Sequence, residues 1–117
     1  MKRKYFLKKP NEINAVFKSK NYKGNKYISL HYFISEEQKQ FKYMISIGKK
    51  YGNAVLRNKA KRRVRSIIYK TSQKFIDKLS LAIVIKPEFI NLTYNQIEEN
   101  LTFLLQKAKI LKEHNNE

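Results

Sequence analysis

The 117-residue chain contains no cysteine and no tryptophan, and it has only three glycines and two prolines. The absence of cysteine excludes disulfide bonds and thiolate metal sites. No apolar run approaches the roughly 18 residues that a membrane-spanning helix requires. The N-terminal segment MKRKYFLKKP has neither the apolar core nor the small-residue cleavage site of a secretory signal. These absences predict a cytoplasmic protein.

Acidic residues are scarce. Nine Asp and Glu stand against 26 Lys and Arg, which gives a formal net charge of +17 and an isoelectric point near 10.1. Self-repulsion at this charge opposes the compact state, and a polyphosphate backbone is the commonest partner that offsets it. Because 42% of the residues are hydrophobic and 13% are aromatic, we expect a folded domain and not a polycationic tail.

Three segments show the apolar spacing of helices. The first follows Pro10 and covers residues 11–18; the second is Ala54–Lys70, for which Asn53 is a good N-cap. The third begins after Thr93, and Gln96 is placed for a capping box. Its apolar residues are Ile97, Leu101, Leu104, Leu105 and Ala108.

Three further segments have strand patterns. Tyr27–Ile34 and Phe41–Ile47 alternate between their two faces, and we expect them to pair antiparallel across a short polar turn. Leu79–Lys86 is apolar throughout its centre, as in a strand buried on both faces. A fourth short strand fits within 20–26 or 49–51.

These elements predict an α+β fold of one domain over residues 1–117, with short flexible termini. The architecture is a two-layer sandwich in which about three helices pack on a mixed sheet of at least three and up to four strands, in the order αββ(β)αβα.

The second helix has an unusual charge pattern. No acidic residue occurs between Gln38 and Ile76, and six of the nine residues of RNKAKRRVR, Arg57–Arg65, are basic. At about 100° per residue an apolar stripe separates from a basic face, and this stripe consists of Leu56, Ala60, Val64, Ile67 and Ile68. Like charges at i, i+4 weaken an isolated helix, so the pattern favours an anionic partner.

The segment KKYGNAVLRNKAKRRVR, Lys49–Arg65, resembles the bacterial ribonuclease P protein family, whose pattern is Lys-Lys-x-Gly-Asn-Ala-Val-x-Arg-Asn-Arg-x-Lys-Arg-x-x-Arg. The main departure is Lys59, where the family most often has Arg. The resemblance implies that residues 1–117 form a single RNA-binding domain and that this helix docks on a catalytic RNA. The candidate contacts are Lys49, Lys50, Asn53, Arg57, Asn58, Lys59, Lys61, Arg62 and Arg65.

The same resemblance implies a cleft between the first helix and the sheet that holds the single-stranded 5′ leader of precursor tRNA. Single strands bind in basic grooves where aromatic rings stack on bases. Ile13 stands where the family commonly has Phe, and His31 where it commonly has an aromatic such as Tyr. The candidate cleft residues are Ile13, Phe17, Tyr27, Ser29 and His31.

We predict no catalytic residue and no metal ligand in the chain itself. The two histidines, His31 and His114, have no carboxylate partner at a matching spacing. The resemblance implies a subunit of the ribonuclease P holoenzyme, in which the RNA subunit holds the magnesium ions that activate water. The protein then adds substrate affinity and relieves phosphate repulsion, which lowers the magnesium requirement.

The resemblance also implies the partners, which are ribonuclease P RNA and precursor tRNA, with no membrane and no obligate protein partner. It further implies a left-handed βαβ crossover, against the usual right-handed preference. Three alternatives share the charge and size: a ribosomal protein or RNA chaperone, a DNA-binding regulator, and a protein that binds membranes through the basic helix.

Overall fold

The structure is a computed structural model that describes residues 6–111, so the predicted flexibility of the termini falls outside the described residues. The helices and strands occur in the predicted order. They are α1 (Pro10–Lys18), β1 (Tyr22–Gly24), β2 (Ile28–Ile34), β3 (Lys42–Ile47), α2 (Ala54–Thr71), β4 (Leu79–Ile85) and α3 (Tyr94–Ala108). Short 3-10 helices occupy 49–51, 72–74 and 87–91.

The four strands form one mixed sheet in the order β1-β2-β4-β3. β4 pairs antiparallel with β2 and parallel with β3. The expected antiparallel pairing of β2 with β3 is therefore wrong, because β4 lies between them. Six of the seven residues of β4 are buried, and the centre of the sheet is the place where a strand with two apolar faces loses the most contact with water.

The connection from β2 to β3 crosses the start of β4. Gln38, in this connection, donates from its side-chain amide to the backbone oxygen of Leu79 at 2.6 Å. Ser80, which is buried, donates its hydroxyl to the Gln38 side-chain oxygen at 2.8 Å. These bonds fix the connection over the end of the central strand.

The fourth strand is β1, which lies within 20–26, one of the two predicted places. It pairs antiparallel with β2 and forms one edge of the sheet. The other predicted place, 49–51, is a 3-10 helix after β3. The mixed four-stranded α+β sheet with three helices is confirmed, and β3, α2 and β4 form its βαβ unit.

The helices lie on both faces of the sheet. Alternate residues of β4, Leu81 and Ile83, join the main core with α2 and α3, whereas Ala82 packs with Val16 of α1 and Leu7. The sheet with α2 and α3 makes the predicted two layers, and α1 covers part of the opposite face. Among the described residues no helix is both long and apolar enough to cross a membrane.

Candidate nucleic-acid interface

Helix α2 buries most of the apolar stripe that the sequence predicts. Ala60, Val64, Ile67 and Ile68 are buried against the sheet and α3. Leu56 was expected to complete this stripe, but 38% of its surface is exposed. It lies in the first turn of α2, where it lines a small cavity with Tyr51 and Phe89.

The first turn of α2 is held by side chains. Asn53 is the N-cap, and its side-chain oxygen accepts a hydrogen bond from the Leu56 backbone N–H at 3.0 Å. Arg57 donates from Nη1 to the backbone oxygen of Gly52 at 2.6 Å. Gly52 has φ +151°, a conformation that side chains rarely allow, so the turn between β3 and α2 requires glycine here. Asn53 and Arg57 thus have structural partners as well as a predicted role.

The basic residues on and around α2 make up the basic surface of the protein. Lys49, Lys50, Lys59 and Arg62 are exposed, as is Asn58. The three ion pairs found among the described residues join Lys42 to Glu12, Lys70 to Glu98 and Lys78 to Glu36. None of them includes a predicted RNA contact, so within residues 6–111 the charge of this surface is not neutralised by neighbouring carboxylates.

The basic surface extends to the edge of the sheet. Lys61 and Arg65, one turn apart on α2, flank a cavity of about 170 Å³ beside β3. Its apolar lining includes Phe6, Met44 and Ile45. Arg63, by contrast, lies near Tyr51 on the other flank of the helix and is partly buried. Arg63 was not among the predicted contacts.

The leader cleft was predicted on the face of the sheet toward α1. Tyr22 of β1 pairs with His31 of β2, and His31 pairs with Ala82 of β4. Directly opposed residues share a face of the sheet. The next row on the same face consists of Gly24, Ser29, Val84 and Ser46, whose short side chains leave a shallow floor.

Phe17 of α1 overhangs this floor. Its ring centroid lies 4.9 Å from that of His31, and 41% of Phe17 is exposed. The Ser19 hydroxyl lies within hydrogen-bonding distance of the backbone oxygens of Val16 (2.8 Å) and Tyr32 (2.7 Å). These contacts tie the end of α1 to β2 and so fix the position of Phe17 above His31.

Comparison with known proteins decides the family. The family model described as Ribonuclease P matches residues 1–109. The chain is 49% identical over 112 residues to the ribonuclease P protein component of Acholeplasma laidlawii, covering 96% of both proteins. The chain belongs to the ribonuclease P protein family. It is the protein component of the holoenzyme that cleaves precursor tRNA, and it therefore works with an RNA partner.

Other ribonuclease P proteins agree in sequence and fold. The component from Enterococcus faecalis is 32% identical over 111 residues, with 95% of this chain and 94% of that protein covered. The solved Staphylococcus aureus ribonuclease P protein superposes with a TM-score of 0.83 at 29% identity, covering 92% of this chain and 98% of that one. The Thermotoga maritima protein, at 20% identity, shares the fold with a TM-score of 0.76, covering 87% and 96%.

The predicted cleft residues of this ribonuclease P protein do not all lie together. Phe17, His31 and Ser29 do, with Ser29 Oγ 3.5 Å from His31 Nε2. Ile13 is partly buried and packs against the small core of Leu7, Val16 and Ala82.

The predicted position of Tyr27 is wrong. It was expected to share the face of Ser29 and His31, but it packs against the main core on the α2 and α3 side. The side-chain oxygen of Asn25 accepts hydrogen bonds from the backbone N–H groups of Tyr27 and Ile28, at 2.9 and 3.0 Å. This turn precedes β2, so the alternation read from the sequence does not extend to Tyr27.

Two residues of the cleft were missed. Tyr22 has its ring centroid 5.0 Å from that of His31 and is 48% exposed. Lys86 donates from Nζ to the Asn25 backbone oxygen at 2.6 Å. Burial and then the charge of Lys86 lower the pKa of His31, which favours a neutral imidazole in the cleft. Tyr22 was missed because it comes beside His31 only through the register of β1 with β2, which the sequence does not display.

Proposed function

We propose that this ribonuclease P protein docks on the ribonuclease P RNA through the basic surface of α2 and holds the 5′ leader of precursor tRNA in the cleft. The observation that supports this most directly is the separation of the two surfaces. The basic residues of α2 lie on one side of the sheet, and the Phe17–His31 cleft lies on the other. Such a protein can contact two RNA molecules at once.

The basic surface of α2 suits a folded RNA. Arg62 and Lys59 project into solvent, and Lys61 and Arg65 line the edge beside β3. An arginine side chain binds a phosphate in a bidentate manner, and each phosphate contact releases counterions. None of these four cations forms an ion pair within residues 6–111, so no carboxylate there competes with phosphate for them.

The cleft suits an unpaired strand. Phe17 and His31 offer ring faces on which bases of any sequence stack, and Lys86 supplies charge for the backbone. Base stacking of this kind contributes about 1 to 3 kcal/mol per base. The leader is therefore held by stacking and charge, with little dependence on its sequence.

We further propose that the protein acts in the cytoplasm and that the RNA subunit, not the protein, binds the magnesium ions. Within residues 6–111 no three His, Cys, Asp or Glu side chains come together where they could hold a metal ion. We assign the magnesium ions to the RNA subunit, where they would supply the activated water. The part of the protein is to bind, to orient the leader and to reduce phosphate repulsion, so that less magnesium is needed.

The test reconstitutes the holoenzyme from the full chain and its cognate RNA. Cleavage of precursor tRNA at low magnesium should rise on addition of the protein, and an unchanged rate would reject the role in leader removal. Arg62→Ala combined with Arg65→Ala should raise the protein concentration needed for half-maximal cleavage, since assembly is weakened.

Phe17→Ala tests the cleft separately from docking. We expect the variant to assemble normally but to bind leader-bearing precursor at least about fivefold more weakly, because one stacking surface is lost. Binding of mature tRNA, which lacks the leader, should not change. Equal losses for both substrates would place the effect outside the cleft, and Phe103→Ala, at an exposed Phe of α3, is the matched control.

A further inference from the structure

The ring of Tyr22 extends the aromatic surface of the cleft beyond Phe17 and His31. Its centroid lies 5.0 Å from that of His31 at an interplanar angle of 51°, and Phe17 lies 4.9 Å from His31 at 48°. The three rings therefore form a row that crosses from α1 over β2 to β1. Tyr22 and Phe17 remain 48% and 41% exposed, so the row keeps accessible surface at both ends.

Gly24 explains how Tyr22 lies in the cleft. A Cβ placed on Gly24 would be 2.8 Å from the Tyr22 hydroxyl oxygen and 2.9 Å from Ser29 Cβ. The Tyr22 side chain thus runs along β1 and occupies the space that a side chain at position 24 would fill. Its hydroxyl ends above the floor of the cleft, next to the row that contains Ser29.

The electrostatic surroundings of the cleft favour an anionic strand. No acidic residue occurs in the sequence between Glu12 and Glu36, and on the face of the sheet that carries Tyr22 the charge of Lys86 acts on His31. Half-exposed rings beside a cation are the arrangement by which proteins hold single strands. A tyrosine on an edge strand also stabilises a cross-strand pair, here with His31, and an experiment must separate the two roles.

We propose that Tyr22 is a nucleotide-stacking residue, which holds one unpaired leader nucleotide beyond those held by Phe17 and His31. This inference rests on the proposed function of the cleft. Since every base has a π face, Tyr22 adds affinity for longer leaders without adding a sequence preference. Tyr22 lies on the edge strand β1, directly opposite His31 of β2, and so adds a third ring to the cleft.

The experiment measures binding of precursor tRNAs whose leaders lengthen one nucleotide at a time, with the reconstituted holoenzyme. Wild-type affinity should rise until the three rings are occupied. In Tyr22→Leu the last increment should disappear, lowering affinity for the longest leaders at least about fivefold, whereas short-leader substrates and mature tRNA bind as before. Tyr22→Phe, which keeps the ring, should behave as wild type, and so should Tyr69→Leu, at an exposed tyrosine of α2.

A second measurement distinguishes stacking from strand stability. With 2-aminopurine placed at successive leader positions, binding should quench its fluorescence at one position in wild type and in Tyr22→Phe but not in Tyr22→Leu. Loss of quenching at every position, or an equal loss of affinity for mature tRNA, would show a structural role and overturn the inference.

The two proposals fail differently. If Tyr22→Leu binds long leaders like wild type while Phe17→Ala does not, the inference about Tyr22 is wrong and the leader cleft stands. If both variants keep full preference for leader-bearing substrate, the cleft does not hold the leader, and both proposals are rejected.

Discussion

Tyr43 shows how a single residue of β3 affects stability. Its ring is 1% exposed and lies between Phe41, which stacks on it at 5.7 Å, and Phe6, which meets it edge-on at 5.7 Å. Its hydroxyl is buried and has no hydrogen-bond partner among the described residues. Burial raises the pKa of Tyr43 to about 12, and the charge of Arg65 offsets only part of that rise. The ring therefore favours the fold, whereas the hydroxyl opposes it.

We predict that Tyr43→Phe stabilises the protein by about 1 kcal/mol at neutral pH, because a buried hydroxyl without a partner costs about that much. The pKa gives a second effect. Between pH 10 and about 12 the unfolded tyrosine loses its proton while the folded one keeps it, so wild-type stability falls as the pH rises.

Urea unfolding at a series of pH values checks both effects. The alkaline loss attributable to Tyr43 should be up to roughly 2 to 3 kcal/mol, and Tyr43→Phe should lack it. Tyr69→Phe, at a residue 63% exposed, is the control and should follow wild type. If Tyr43→Phe is less stable at neutral pH, the hydroxyl has a partner and the argument is wrong.

At the scale of elements, α2 and α3 were predictable because their information is local. Asn53 caps α2, and the capping box of α3 forms as predicted, with Gln96 N–H donating to Thr93 Oγ1 at 3.2 Å and Thr93 N–H to Gln96 Oε1 at 2.9 Å. The buried residues of α3 are the five that the spacing predicted. Caps and helical faces depend on residues three or four apart, which a sequence displays directly.

The basic face of α2 gives a prediction about assembly. Arg65→Ala and Arg62→Ala should each weaken binding to ribonuclease P RNA and lower the slope of log affinity against log salt by about 0.7 to 0.9, since each removes one phosphate contact. Arg57→Ala should also weaken assembly, but its bond to Gly52 adds a structural cost. Lys107→Ala, in the last turn of α3, is the matched control.

Binding titrations at several salt concentrations measure these slopes. Slopes equal to wild type in Arg62→Ala and Arg65→Ala, with an unchanged Lys107→Ala, would contradict direct phosphate contacts. Loss of helix in circular dichroism would instead attribute the weaker binding to misfolding.

The strand order was not predictable from the strands taken one at a time. Alternation assigned the faces of β2 and β3, and a short connection between them favoured a hairpin. The uniform apolar pattern of β4 already predicted a central strand. Burial of both faces of β4 outweighs the advantage of pairing β2 with β3, its neighbour in the sequence. Tyr22 was missed for the same reason, because its neighbour His31 is defined only by the β1–β2 register.

At the scale of the whole molecule, the charge of +17 opposes folding. Three ion pairs among the described residues leave most cations unpaired. We predict that raising NaCl from about 50 to about 300 mM increases the thermal midpoint by a few degrees, since screening shortens the range of the repulsion.

Differential scanning calorimetry measures this shift. Arg62→Glu, which lowers the net charge by two, should respond less to salt than wild type does. A midpoint that is independent of salt in both proteins would show that repulsion has little effect on the fold.

The sequence by itself determined the local and compositional properties: the helices and their caps, the basic face of α2, the anionic class of partner and, through the Lys49–Arg65 pattern, the family. Each depends on neighbouring residues or on totals along the chain. Tertiary structure alone decided which strand lies at the centre, which rings meet in the cleft and where Tyr27 packs. These depend on pairing between distant segments, where burial of the whole core, and not the preference of any one segment, selects the arrangement.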